Sequence, residues 1–341
     1  MDNIELIIRN GQTLYYPCVE EGITWETERM SSPGKLTFNV IADSILNIEE
    51  GNAVRLKINE TNVFYGFVFT MSRNKDNTLK ITAYDQLRYL KNKDTITYKN
   101  KTATELIKMI ATDFNLNLGT IDETEYVFNI RTEDDSELFT IIENALAETT
   151  RQESKIFVLY DDFGKLTLKN IENMKLPLLY DNDTAEDFDY MSSIDSNTYN
   201  KIKLTYDNEN TGKRDVYIAQ DTSNINKWGV LQFKGTEKAN ESIKTKDTEG
   251  DSKTTTTKVL TIDLKAKADA LLGFYNKKTK SLSLKNALGD LRIRAGTSIL
   301  VKLDLADTNV RRYMTVEKAK HTFKNGEHLM DLTLRGGAFN V

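Results

Sequence analysis

The chain has 341 residues, 46 of them basic and 51 acidic, giving a formal charge of −5 and a pI near 5.4. At roughly 100–200 residues per domain this length predicts two or three domains, and 39% hydrophobic against 28% charged residues excludes a disordered chain. The acidic balance argues against sequence-independent nucleic-acid binding, which needs a basic face to displace phosphate counterions.

The opening residues Met1-Asp2-Asn3-Ile4-Glu5 are acidic and lack a basic leader before an apolar core, so no secretory signal is expected. The expectation is a protein kept in the cytosol or released by lysis. Cys18 is the single cysteine, too few for an internal disulfide or a zinc site, and is expected to be a small buried apolar residue. Residues up to about 90 read as strands. Ile23-Thr24-Trp25-Glu26-Thr27 alternates apolar with polar. Ser31-Ser32-Pro33-Gly34 is a turn, in which proline sets φ and glycine permits a positive one. Leu36, Phe38 and Val40 alternate with Lys35, Thr37 and Asn39, and Val54, Leu56 and Ile58 repeat the pattern after Gly51-Asn52. Val63 to Phe69 is apolar on both faces apart from Gly66, so it is either central to a barrel or partly covered by another subunit. It is far shorter than a bilayer span. Leu79, Ile81 and Ala83 follow the polar turn at 74–77.

The pattern changes at Tyr84, where Tyr84 to Leu90 predicts a short helix or tight corner. Thr102-Ala103-Thr104-Glu105 is a capping box, with Leu106, Ile107, Ile110 and Phe114 behind it at helical spacing. A second helix begins near Asp135 or Ser136 and carries Leu138, Ile141, Ile142, Ala145 and Leu146 on one stripe. Residues 156–160 and 165–169, around Asp161-Asp162-Phe163-Gly164, predict a hairpin. Residues 92–175 are therefore expected to form an α/β insert. Strands return with Lys201 to Tyr206 and Asp215 to Gln220. Residues 236–258 hold almost nothing apolar and predict a mobile loop. A helix is expected over about 262–277, then strands at 282–284, 298–303, 313–323 and 328–334. In the last hairpin Asn325-Gly326 is the favoured two-residue turn. Its register pairs Phe323 with His328, His321 with Met330 and Ala319 with Leu332 on an apolar face. Lys324 then pairs with Glu327, and Lys320 with Asp331, on a charged one.

No residue pattern makes a persuasive active site. His321 and His328 fall diagonally on the apolar face, with no third metal ligand on the hairpin. A peptidase built from Cys18 and a histidine has no local signature. The acid pairs Glu49-Glu50, Asp134-Asp135, Asp161-Asp162 and Asp181 with Asp183 sit at turns and helix starts, where acids are structurally favoured. Glycosidase chemistry needs two carboxylates flanking a sugar bond. Asp181-Asn182-Asp183 opens like a calcium loop, but Glu186 and Ser192 stand where glycine and glutamate are required. Gly-Lys at 34–35, 164–165 and 212–213 lacks the rest of a phosphate-binding loop. No catalytic, cofactor-binding or metal site is assigned. The residues alone predict a β-rich α+β chain with two β-rich domains, an insert, and assembly as its function.

Pro33-Gly34-Lys35-Leu36-Thr37-Phe38, Val63 to Phe69, Tyr84 to Asp94, Tyr160 to Leu166 and the ending His321…His328 to Leu334 resemble the XkdQ/YqbQ-type baseplate hub proteins of contractile phage tails and tail-like particles. Residues 236–258 carry none of the likeness. The resemblance implies a non-enzymatic, cofactor-free homotrimer with two barrel-like tail-tube domains per subunit. These would lie in residues 1–91 and in 176–341, the second interrupted by the loop and helix. Three subunits would present six similar domains, matching a hexameric tail tube above and a trimeric spike below. The implied partners are the tail tube protein, the spike, the tape-measure protein and a LysM-bearing baseplate protein, with no membrane and no specific nucleic acid. The implied location is the baseplate of a particle assembled in the bacterial cytoplasm and released by lysis. The rivals are a tail-tip cell-wall hydrolase and a carbohydrate- or receptor-binding protein, the latter with Trp228 and Tyr217 as its candidate aromatics.

Overall fold

The computed structural model describes residues 3–20, 22–153, 155–195, 197–208, 212–237, 243–244, 257–258, 264–305 and 308–336. Two compact units emerge: residues 1–190 with 281–336, and a second centred on residues 191–280.

The first unit is built on a 13-stranded sheet. From its short edge strand Thr13–Tyr15 the order runs through Ile4–Asn10, Ala53–Ile58, Thr61–Arg73, Thr78–Tyr84, Lys35–Ile41 and Ile23–Glu28. It continues into Thr308–Lys324, Glu327–Gly336 and Thr279–Leu288 and ends at Asp187–Ser193, with Ser298–Leu305 and then Lys175–Tyr180 branching from Thr308–Lys324. The alternating residues of the sequence line its core: Leu36, Phe38, Val40, Val54, Leu56 and Ile58 are all buried. Thr61–Arg73 is central, paired with Ala53–Ile58 on one edge and Thr78–Tyr84 on the other.

The chain is mostly β, as expected, but no sheet closes into a barrel among the described residues. The reason lies in one strand. Thr308–Lys324 is 17 residues long. One of its edges pairs first with Ser298–Leu305, up to Ser298 opposite Thr315, and then from Lys318 with Ile23–Glu28. The opposite edge pairs with Glu327–Gly336, with a register shift between Val316 and Lys318. At the changeover the Arg29 amide donates to the Glu317 carbonyl, and their side chains form an ion pair at 2.8 Å. The two strand-rich ends thus share a strand, where separate barrels would each have closed on their own. The last hairpin has the predicted register at every pair, from Lys324 opposite Glu327 to Ala319 opposite Leu332.

Between these ends, Lys93–Thr102 and Val127–Glu137 form a two-stranded ribbon, and Phe157–Asp161, Leu166–Asn170 and Leu118–Ile121 form a small sheet. Helices Ala103–Asp113 and Leu138–Glu153 pack Leu106, Ile107, Ile110, Leu138, Ile141 and Ile142 into one core. The capping box is formed: the Glu105 amide donates to Thr102 Oγ1 at 3.2 Å, and the Thr102 amide to Glu105 Oε2 at 2.8 Å.

The second unit has its own sheet, Lys201–Asn208 flanked by Lys213–Gln220 and, in parallel, Gln232–Glu237. Helix Leu264–Tyr275 covers one face through Ala268, which packs with Ile202, Leu204 and Ala219. Residues 191–280 are therefore a unit with a core of its own, built from the strands expected at Lys201–Tyr206 and Asp215–Gln220 and the helix expected at about 262–277. The loop expected at 236–258 lies mostly outside the described residues. Within it, Ile243–Lys244 pairs with Thr257–Lys258.

Candidate functional site: a buried charged junction

Four of the stretches that carry the resemblance converge inside the first unit. Asp85 follows the strand Thr78–Tyr84. Its Oδ2 accepts from the Gly34 amide at 2.9 Å and its Oδ1 from the Leu87 amide at 3.1 Å. The second bond caps a 3-10 turn over Gln86–Lys91, the tight corner expected there. The Asp85 amide returns a bond to the Gly34 carbonyl at 3.1 Å. Gly34 has no room for a side chain, because a Cβ there would meet the Asp85 carboxylate. Asp161 closes the strand Phe157–Asp161, and its Oδ1 accepts from the Gly164 amide at 2.6 Å across the Asp161–Gly164 turn. Gly164 has φ +83°, and a Cβ there would lie 2.6 Å from the Tyr65 ring.

Arg294 comes from the far end of the sequence and ties these pieces together. Its Nη2 donates to the Asp161 carbonyl at 2.8 Å, and its guanidinium lies 4.1 Å from the Tyr160 ring centroid. Beside it the Ala295 amide donates to Thr27 Oγ1 at 2.9 Å. Burial pushes the Asp161 carboxyl up to about 6, against the pull of the Gly164 amide and Arg294. Burial, reinforced by the Asp161 charge, holds Asp85 well above the usual carboxylate range. Burial also lowers the Arg294 pKa. Asp161 Oδ2 and Arg294 Nε are both buried without a hydrogen-bond partner, so the cluster's polar capacity is not exhausted.

An aromatic stripe runs alongside. Tyr65, Phe67 and Phe69 line the outer face of their strand. Tyr65 lies 5.8 Å from Phe163, Phe67 lies 6.2 Å from Tyr89, and Phe69 lies 5.5 Å from Tyr84. The strand is apolar on both faces because residues of this chain cover both.

The junction fixes backbone and offers no open acid–base pair. The partnered oxygens of Asp85 and Asp161 take main-chain amides, the arrangement that locks a turn. On the surface nearby is an open groove of about 390 Å³ whose charged lining is Glu26, Glu28, Lys35, Arg88, Lys91 and Lys318. Lys35 pairs with Glu26 at 3.0 Å and Lys318 with Glu28 at 3.8 Å.

The other candidates are scattered. His321 is fully buried, and its Nε2 lies 2.9 Å from the Ile293 carbonyl, which can only accept. Nε2 therefore carries the proton, and Nδ1 accepts from His328 Nε2 at 2.9 Å. Burial, with His328 adding to it, pushes the His321 pKa down to about 3. The pair stacks between Trp25 and Phe323 as part of the core. Among the described residues no group of three His, Cys, Asp or Glu side chains could hold a metal ion. Cys18 is exposed, contrary to expectation. It lies outside the strands, held by a bond from the Ile41 amide to its carbonyl, so its side chain has no core to enter. Glu49, Glu50, Asp134 and Asp135 are exposed turn and ribbon residues. Asp181 accepts from the Asp183 amide in a local turn. Tyr217 packs on the core of the second unit, and Trp228 is half-buried at the end of the helix Thr222–Trp228. Asp161 is visible in the sequence as one of its acid pairs, whereas nothing local marks Arg294. Asp85 falls within the corner expected over Tyr84 to Leu90, but nothing local marks it as buried.

The profile of the YQBQ-like family matches residues 23–335. The chain is 26% identical over 336 residues to the phage-like element PBSX protein XkdQ of Bacillus subtilis, covering 96% of each. Its fold is similar to the 43 kDa tail protein of prophage MuSo2 from Shewanella oneidensis, with TM-score 0.67, 14% identity and coverage of 97% and 98%. It is also similar to the E. coli c3393 protein, with TM-score 0.57, 10% identity and coverage of 98% and 78%. That protein is described as a type VI secretion component structurally similar to the T4 tail proteins gp27 and gp5. With a matched profile running from the strand Ile23–Glu28 to the last hairpin, through every residue of the junction, the chain belongs to the YQBQ-like family.

Proposed function

We propose that the protein is a structural baseplate hub subunit, whose homotrimer joins a hexameric tail tube to a central spike. The coarser statement stands on family and fold together: this is a phage tail or baseplate-like protein. The observation that carries the finer reading is the shared strand Thr308–Lys324, which binds both strand-rich ends into one sheet. That sheet still has free edges at Thr13–Tyr15, Lys175–Tyr180 and Asp187–Ser193 among the described residues. An open sheet with unlike edges is suited to the addition of further subunits, because unpaired strand edges recruit other chains. Unlike edges meet head to tail, a contact that closes a ring where the rotation between subunits closes.

The tube protein, spike, tape-measure protein and a LysM-bearing protein are the proposed neighbours, at a baseplate assembled in the cytoplasm and released by lysis. No helix among the described residues is long and apolar enough to cross a membrane. Nothing at the junction offers hydrolytic chemistry, and we read the protein as non-enzymatic. The acidic balance suits a lumen that should not grip DNA. The test is to mix the purified chain with the tube and spike proteins of its own particle and to measure complex mass and symmetry. A threefold complex containing both partners is expected. Binding to neither, or clearing of cell wall in a zymogram that is lost on mutating one acid pair, would overturn the reading.

A further inference from the structure

The charges of the first unit are distributed in two complementary patches. The groove beside the junction sets Lys35, Arg88, Lys91 and Lys318 against only Glu26 and Glu28. Two of these cations are consumed by the two glutamates. Arg88 lies over the Phe69 ring at 5.4 Å, and neither Arg88 nor Lys91 has an acidic partner among the described residues. The opposite pattern occupies residues 181–189. Asp181, Asp183, Glu186, Asp187 and Asp189 crowd that stretch with no Lys or Arg among them. None of the five makes an ion pair among the described residues: their partners are amides and Asn286. The last two lie on Asp187–Ser193, a free edge strand of the sheet, and both are exposed.

We propose that the groove centred on Arg88 and Lys91 receives the acidic edge segment 181–189 of a second copy of this chain. The occupant is argued from charge. Five carboxylates without a cationic partner, two of them on an exposed edge strand, match a concave surface with two cations that have no acidic partner among the described residues. Like charges would face each other if two grooves or two acidic edges met, so the contact is groove to edge, and where each pair of copies makes it once it runs head to tail. A head-to-tail contact propagates around a ring, which deepens the hub reading on which it rests by naming the surfaces that join its subunits.

The experiment is a charge swap on the full chain, followed by sedimentation across protein and salt concentrations. One variant reverses the groove (Arg88→Glu with Lys91→Glu), one reverses the edge (Asp187→Lys with Asp189→Lys), and a third carries all four changes. The wild type is expected to associate, less at high salt. Each two-site variant should associate at least about tenfold more weakly, with the four-site variant recovering because its charges again oppose. A disulfide trap guards against misfolded variants. In a Cys18→Ser background, Lys91→Cys with Asp189→Cys should yield inter-chain disulfides, and the separate single-cysteine chains, oxidised alone, should not yield the same ladder.

Association of the wild type that no reversal weakens overturns the proposal while leaving the hub reading intact. So does a wild type that stays protomeric and gives no inter-chain disulfide yet still caps the tail tube. Failure to bind tube or spike at all strikes the hub reading instead, and recovery in the four-site variant would then still support the contact between copies.

Discussion

Asp161 gives the junction a pH dependence whose sign follows from burial. Its carboxyl titrates near 6 in the folded chain, against 3.8 when unperturbed. The folded state therefore holds this proton more tightly, and its contribution to stability falls as pH rises from about 4 through 6. The 2-unit gap is worth about 3 kcal/mol at most. Asp161→Asn keeps an oxygen for the Gly164 amide and removes the buried charge. The variant should match the wild type near pH 4 and exceed it in stability at pH 7.5; equal differences at both values, read by urea denaturation, would refute the account. His321 has the opposite sign. Its pKa falls from 6.5 to about 3, so its contribution is present above 6.5 and lost as pH drops through that interval. Between pH 6 and 4 the histidine slope opposes those of Asp161 and Asp85, so Asp161→Asn should shift the pH dependence of stability in that interval towards the histidine's sign. Gly66 presents a purely steric case. A Cβ there would run into the Tyr84 carbonyl and the Phe64 ring, so Gly66→Ala should cost about 1–3 kcal/mol, the usual range for overpacking, in the same denaturation assay.

At the scale of single elements, local chemistry and periodicity carried most of the information. The capping box at Thr102 and Glu105 closes as written, and Thr102→Ala should cost about 1 kcal/mol of stability by losing the oxygen that takes the Glu105 amide. Urea denaturation of the full chain checks it: a loss within about 0.2 kcal/mol of zero would mean that tertiary packing, not the cap, sets this helix start. The last hairpin was legible pair by pair because Asn325-Gly326 fixes the register, with both residues at positive φ. The junction was not legible in the same way. Asp85 and Asp161 are ordinary turn acids by local pattern, and only the arrival of Arg294, 133 residues beyond Asp161, makes them a buried cluster. The sharing of one strand between the two ends was equally hidden. Nothing local in Thr308–Lys324 says that one edge will change partners at Val316, because that exchange depends on where Ile23–Glu28 lies in space. Cys18 failed for a related reason: burial was inferred from residue type, while exposure was decided by its place outside the strands.

At the scale of the whole molecule, the two units differ in how much core each has to lose. The first holds three large hydrophobic clusters, while the buried core of the second consists of Ile202, Leu204, Ala219 and Ala268, ringed by half-buried aromatics such as Tyr199, Phe233 and Tyr275. Fully burying an aliphatic side chain contributes roughly 1.5–3 kcal/mol, so four small or medium residues stabilise far less than the fifteen or more in each large cluster. Cooperative units open according to the apolar surface they would expose. Residues 201–220 and 264–275 should therefore exchange their amide hydrogens through a lower-energy opening than Leu36–Val40 or Ala319–Phe323, whose strands sit in the shared sheet. Hydrogen exchange followed by mass spectrometry under native conditions would resolve two classes of protection, and added urea should release the 191–280 class first. A single class, with Ile202 and Leu204 protected as strongly as Phe38, would mean that the second unit draws its stability from outside its own core.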